Sequence, residues 1–386
     1  MRPPKAAAAP ARNVAQHIAS LDGIRACAVM LVFVAHAGLK GRVPGEFGVT
    51  VFFFLSGYLI TTLLRVEHER TGSISFRAFY LRRVLRIFPP FYLVLGAATL
   101  LWLVHALPAP YPSFSWGGVL SQVFFLTNYY IVLHGWWDGH AQGTWIFWSL
   151  AVEEHFYLLF PLVYLLLLRF VPSRHRQALV LAGLCGLVLA WRLVLVFAFD
   201  AGKDRTYVAT DTRIDSILFG CILAILANPV LDRVRIGDNA LRFVWVPLAA
   251  VGLLLSFAVR NPHFQETTAY TIQGICLFPL FIAAVRLADW GPFQLLNWRA
   301  ISFVGVLSYS IYLLHPTVLW TVNPLPVPGI VQALVALAVT LAIAYGIYVV
   351  VEKPAARLRR RLSRVLVPQR PPAPAPPPEA VAVASR

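Results

Sequence analysis

The chain has 386 residues, 59% hydrophobic and 13% charged, with a formal net charge of +16 and a mean hydropathy of +0.69. Soluble domains carry roughly 25% charged residues, so the composition excludes a water-soluble globule. A nucleic-acid-binding protein is excluded too, because no basic domain stands outside the apolar segments.

Apolar runs long enough to cross a bilayer, roughly 17–25 residues, recur along the whole chain. Ten spans are expected, over 21–39, 47–64, 88–107, 147–168, 178–199, 214–228, 241–259, 267–285, 300–321 and 330–351. The fold expected is an all-α integral membrane protein of about ten transmembrane helices. Segments 1–20, 65–87, 169–177, 229–242, 286–299 and 352–386 hold 25 of the 33 Lys and Arg residues, and the opposite loops hold six. This asymmetry predicts that both termini are cytoplasmic. Residues 1–19 read as a flexible basic lead without a cleavable signal peptide, and 20–360 as the membrane domain. Residues 361–386 read as a basic, then Pro/Ala-rich, disordered tail. Cys27, Cys185, Cys221 and Cys276 all fall in apolar spans without paired or metal-ligand spacing, which suits packing.

The first span, LDGIRACAVMLVFVAHAGL, contains Arg25 and His36. Ionisable groups at such depth cost roughly 2.5–3.5 kcal/mol on insertion scales and call for a partner or a function. Eleven residues of α-helix turn about 1100°, three turns plus roughly 20°, so both side chains share a face about 16 Å apart. A guanidinium suits phosphate, and an imidazole suits proton abstraction from a hydroxyl. The pair matches a long substrate with phosphates at one end and a reactive group at the other, as in acyl-coenzyme A. A snorkelling arginine and a histidine satisfying a core hydrogen bond also fit.

After the second span, SFRAFYLRRVLRIFPP reads as a cytoplasmic loop in which Arg82, Arg83 and Arg86 have helical spacing beside aromatic anchors. The outer loop 108–146 is aromatic-rich, holds no Lys or Arg, and suits a lid over an outward-facing site. Within it, HGWWDG (134–139) matches the His-x-x-x-Asp-Gly pattern of soluble acyltransferases without their large soluble domain.

The fourth span opens with WSLAVEEHFYLLFPL. Glu153 or Glu154 is expected to orient His36 as the third member of a triad does; adjacent residues point about 100° apart on a helix, so only one meets it. TDTRIDSILFG then supplies Arg213 and Asp215, and SYSIYLLHPTV supplies Ser308, Tyr309, Tyr312 and His315. Polar groups at these depths suit a substrate site or pathway, although such tyrosines also serve as an interface belt. Glu352 and Lys353 suit a helix anchor.

LDGIRACAVMLVFVAHAG, GVTVFFFLSGYLITTLL, FYLRRVLRIFPPFYL, WSLAVEEHFYLLFPL, TDTRIDSILFGCILA, SYSIYLLHPTV and VEKPAARLR together resemble, in order and spacing, the signature segments of the acyltransferase 3 family over about residues 20–360. These are bacterial integral-membrane O-acyltransferases. The resemblance implies an acyl donor used from the cytoplasm, usually acetyl-CoA, and a hydroxyl acceptor on a glycan or other molecule. It implies catalysis by His36 with Arg25 as its paired arginine, and it matches Arg82, Arg83 and Arg86 to the family's arginine motif. His155 stands where the family commonly has Gln, and the SGNH hydrolase-like domain of some members is not expected here.

The expected enzyme is therefore a multi-pass protein of the bacterial cytoplasmic membrane. His36, assisted by Glu153 or Glu154, acts as general base; Arg25, Arg82, Arg83 and Arg86 hold the CoA phosphates; Arg213, Asp215, Ser308, Tyr309, Tyr312 and His315 contact substrate. Ser308, Tyr309 and Arg213 are the oxyanion candidates. Direct transfer is the simplest route, with an acyl-histidine intermediate as the alternative. No permanently bound cofactor and no metal site are expected; acyl-CoA is a co-substrate, and the partners are the glycan or other hydroxyl acceptor and membrane lipids. A transporter or flippase for a lipid-linked saccharide and a non-catalytic sensor compete with this reading. The transporter predicts helix breaks at related positions in two halves, which the sequence does not display.

Overall fold

The computed structural model describes residues 18–39, 41–106 and 115–366, and among these the elements are helices joined by turns, with no strand. The lead up to residue 17 and the tail from 367 lie outside the described residues. Residues 361–366, expected in the tail, are helical.

Helix α1 (Ala19–Val34) is continued by a wide turn, Ala35–Leu39, in which Gly38 has φ 104°. The regular helix thus ends just before His36. Next come α2 (Gly45–Thr71), α3 (Phe76–Leu103), α4 (Trp116–Val123) and α5 (Thr127–His134). A helical turn, Thr144–Phe147, leads into α6 (Trp148–Phe170), followed by α7 (Arg174–Ala198), α8 (Lys203–Val208) and α9 (Thr210–Leu226). A short α10 (Asp238–Ala240) passes through Leu241–Trp245 into α11 (Val246–Ala258), and α12 (Pro262–Glu266) precedes α13 (Thr268–Arg286). The chain closes with α14 (Phe293–Leu296), α15 (Arg299–Val322) and α16 (Gly329–Ile347), which runs through Tyr348–Glu352 into α17 (Lys353–Leu366).

Among the described residues, nine helical segments are long and apolar enough to cross a membrane, and their outward leucines, such as Leu158 at 63% and Leu187 at 66% exposure, form a belt suited to lipid. The chain is a multi-pass membrane protein. The sixth expected span is α9, a helix of 17 residues that is buried on nearly every side. Its last turn meets a protein cation: Arg65 donates to the Ala224 carbonyl at 3.0 Å. Packing against α2 needs glycine on both helices. A Cβ on Gly57 would lie 1.9 Å from the Ile217 carbonyl oxygen, and one on Gly220 would lie 1.9 Å from that of Phe54. Small residues let such backbones touch.

The segment expected as a loop before residue 88 is helical. Helix α3 starts at Phe76, with the Ser75 hydroxyl accepting from the Ala78 amide at 3.3 Å, and it continues through Pro89 and Pro90. Prolines are tolerated in spans where neighbouring helices supply polar partners; here Tyr309 of α15 donates to the Ile87 carbonyl at 3.1 Å.

Candidate active site

Helices α1, α2, α3, α6 and α15 surround a cavity of about 790 Å³, its open mouth included. The lining cations, Arg25, Arg83 and Arg86, come from the first halves of α1 and α3. Ser149 comes from the first turn of α6, and Tyr312 from just past the middle of α15, one turn before His315. The cavity therefore has an arginine end; His36 and His315 do not line it and lie beyond its Tyr312 side, the histidine end, where the Tyr312 carbonyl meets His315.

At the arginine end, Arg25 donates to Asp22 at 2.9 Å. Arg83 lies between the rings of Phe79 and Tyr157, at 5.8 and 5.6 Å. Its Nε is buried with no hydrogen-bond partner among the described residues, so a bound anion would relieve it. Arg86 is exposed. Arg82, predicted to act with them, does not line the cavity. It pairs with Glu67 at 2.6 Å, and Glu67 also accepts from the Ser75 amide, so this arginine staples the α2–α3 turn.

Glu153 lines the cavity wall and accepts two hydroxyl bonds, from Ser56 at 2.8 Å and Tyr157 at 3.0 Å. Glu154 leaves a buried Oε1 without a hydrogen-bond partner among the described residues. The residue across from His36 Nδ1 is neither carboxylate. It is His315, whose Nε2 lies 2.8 Å away, the two rings meeting edge to edge with centroids 5.1 Å apart and planes within 12° of each other.

The proton arrangement of this pair follows from the backbone. Residue 316 is proline, so the Tyr312 carbonyl lacks the amide that would normally close the i to i+4 bond. His315 Nδ1 takes that place, 2.8 Å from the Tyr312 oxygen and 3.2 Å from that of Ile311. Carbonyl oxygens only accept, so His315 Nδ1 carries hydrogen. In the neutral ring Nε2 is then an acceptor, and His36 Nδ1–H donates to it. The basic lone pair of His36 is placed on Nε2.

The remaining predicted contacts divide. Ser308, Tyr309 and Tyr312 line the cavity, and the Tyr312 hydroxyl is 2.6 Å from Ser149 Oγ and donates to Ile146 O at 3.2 Å. Arg213 and Asp215 do not line it. Arg213 is fully buried, stacked 3.8 Å from the Tyr270 ring centroid and bonded to Thr50 at 3.0 Å. Asp215 pairs with Arg192 at 2.7 Å, both side chains at 0% exposure, latching α9 to α7. His155 bonds to Thr210 at 2.7 Å, joining α6 to the start of α9.

Sequence reasoning missed Ser56, Tyr157 and Ser149, which lie within the quoted segments but carry no charge to single them out. It placed His315 among substrate contacts; the His-Pro dipeptide inside a span was the available signal for its role.

The acyltransferase 3 family model, described as an acyltransferase domain, matches residues 18–349. The chain is 27% identical to the peptidoglycan O-acetyltransferase OatA of Listeria monocytogenes, covering 88% of this chain and 56% of that protein. It is 30% identical to the putative peptidoglycan O-acetyltransferase YrhL of Bacillus subtilis, over 88% of this chain and 55% of the relative. A putative O-acetyltransferase of Staphylococcus aureus is 28% identical, over 81% and 52% respectively. The chain spans about half the length of the curated relatives it matches. No solved structure gives a significant match. With the family model covering most of its length, the chain belongs to the acyltransferase 3 family.

Proposed function

We propose that this protein is a membrane O-acyltransferase that moves an acetyl group from acetyl-CoA to a hydroxyl of an envelope glycan. The observation that carries the reading is the His36–His315 pair, set beyond a cavity whose far end holds Arg25, Arg83 and Arg86. The arginine end suits the CoA phosphates, since guanidinium groups bind them with charge-assisted bonds. The apolar wall between suits the pantetheine arm and thioester.

In the proposed step, His36 Nε2 accepts the acceptor's hydroxyl proton as that oxygen attacks the thioester carbonyl carbon. The tetrahedral intermediate collapses, the C–S bond breaks, and the CoA thiolate takes the proton from His36. Products are the O-acetyl ester and CoA-SH. His315 keeps its Nδ1–H on the Tyr312 carbonyl and accepts from the His36 imidazolium, stabilising it through the transfer. Such a general base contributes about 10²–10⁴-fold. Ser308, which lines the cavity, is the proposed oxyanion donor, because Tyr309 and Tyr312 give their single O–H to the Ile87 and Ile146 carbonyls.

The Lys/Arg asymmetry supports an arginine end facing the cytoplasm of a bacterial inner membrane, where CoA is found, and a histidine end facing outward. Relatives named as peptidoglycan O-acetyltransferases support a cell-wall glycan as acceptor. The test follows radiolabelled acetyl-CoA in inside-out vesicles. Label should reach a lumenal or membrane glycan with the native chain and fall at least about 100-fold with His36→Ala. Full transfer by His36→Ala would overturn the assignment.

A further inference from the structure

The HGWWDG loop, which the proposed chemistry leaves unused, sits at the histidine end. Trp145 lies edge-on to His36 with ring centroids 5.2 Å apart. The rings of Trp136 and Trp137 each approach Trp145 to 5.7 Å, at 80° and 72°. Trp136 is fixed by donating its indole N–H to Asp204 at 2.5 Å. Trp137 is 45% exposed. The loop is pinned over the turn that follows His315: Thr317 donates to the Gln142 carbonyl at 2.9 Å, and Gly143, at φ +82°, lies so close that a Cβ would be 2.4 Å from the Thr317 nitrogen.

Two groups here are buried without hydrogen-bond partners among the described residues: Trp145 Nε1, and both amide atoms of Gln142, which is 6% exposed. Tryptophans that only anchor a membrane interface keep their polar edge wet. An orphaned indole N–H and an orphaned carboxamide instead call for a ligand that donates and accepts, since such groups are costly to leave unmet. Residues 108–146 contain no Lys or Arg, and Lys203, which lies over the Tyr207 ring beside Trp136, is already paired with Glu46.

We infer that Trp136, Trp137 and Trp145 form a sugar-stacking platform beside His36, which holds a neutral pyranose ring of the acceptor while Gln142 and the Trp145 N–H engage its hydroxyls. Pyranose C–H faces pack on indole rings, and their hydroxyls satisfy the polar rim. This deepens the acyltransferase reading and rests on it for the acceptor's identity, but saccharide binding is measurable without turnover.

The experiment titrates purified full-length protein in detergent with a β-1,4-linked N-acetylglucosamine tetramer, followed by intrinsic tryptophan fluorescence. Acetyl transfer to the same tetramer is measured in parallel. The native chain should bind it, and Trp137→Ala should weaken binding and raise the acceptor KM roughly tenfold while the acetyl-CoA KM stays unchanged. Trp137→Phe should recover most of the affinity, and Trp145→Phe, which keeps a ring and loses the N–H, should lose part of it. Native protein that does not bind the tetramer, or Trp137→Ala and Trp145→Phe that bind it as the native does, would overturn the platform. Binding that follows the expected pattern without any transfer by the native chain would uphold the platform and count against the acyltransferase reading alone.

Discussion

His315 Nδ1 lies 2.8 Å from the Tyr312 carbonyl, the oxygen that an amide at position 316 would engage in an uninterrupted helix. A proline in the chain thereby sets the tautomer of one histidine, and that tautomer sets the tautomer of the next. In the proposed step His315 is a positioning residue, whose effect on transfer would pass through His36.

Replacing His315 with Ala should therefore lower kcat about 10–100-fold, less than loss of His36 itself, with the KM for acetyl-CoA little changed. Pro316→Ala restores a backbone donor that competes for the Tyr312 oxygen. It should shift the acid limb of the kcat–pH profile while leaving the protein folded. A merely structural role for His315 would lower the amount of folded protein without moving that profile.

Glu153 holds the hydroxyls of Ser56 and Tyr157 and tunes the cavity wall, with no bond to the His315 side of the site. Glu153→Gln and Tyr157→Phe should each destabilise by about 1–3 kcal/mol. The double variant should show a coupling of about 0.5–3 kcal/mol, read from thermal midpoints in detergent. Additive effects would contradict the bond.

The buried Arg192–Asp215 pair predicts a different pattern. Removing one partner, as in Asp215→Leu, should cost about 3–5 kcal/mol by stranding a buried charge, and Arg192→Met with Asp215→Leu should recover much of it. Thermal stability checks the rescue. Acetyl-CoA affinity in the double variant should match the native value, because neither residue lines the cavity.

In the loop outside the spans, burial is the main cause that pulls the His140 imidazole down to about 4, against a smaller opposing pull from Asp138. Unfolded, this ring takes a proton near 6.5; folded, it resists until about 4. The unfolded state binds more protons within that window, so stability falls as pH drops from 6.5 toward 4 and is level above it. His140→Phe should flatten this part of the thermal-midpoint profile against pH. An unchanged profile would show that His140 is not the acid-sensitive group.

The sequence reveals what apolar length and in-span charge encode, and little of what depends on how helices register against one another. The spans, the Arg25–His36 pair and the cavity-lining Ser308, Tyr309 and Tyr312 stand out because polar groups in apolar runs are conspicuous. Helical spacing groups Arg82 with Arg83 and Arg86, yet Glu67 draws Arg82 away, and that pairing depends on the α2–α3 turn. Choosing between Glu153, Glu154 and His315 as the partner of His36 needed the depth of α6 and α15 relative to α1. The start of α3 was hidden because its first turns are basic, and charge density reads as loop when the cavity they face is not yet known. The short α9 is buried among other helices and so departs from the lipid-spanning length rule.

The central claim is a division of labour between the two ends of the cavity. Equilibrium binding of acetyl-CoA and acetyl transfer, measured side by side on one membrane preparation, test it most directly. His36→Gln should bind acetyl-CoA with native affinity and lose transfer by about 100-fold or more. Arg83→Gln should weaken acetyl-CoA binding about tenfold or more, while transfer at saturating donor stays within a few-fold of native. Loss of binding in His36→Gln, or native binding in Arg83→Gln, would contradict the account.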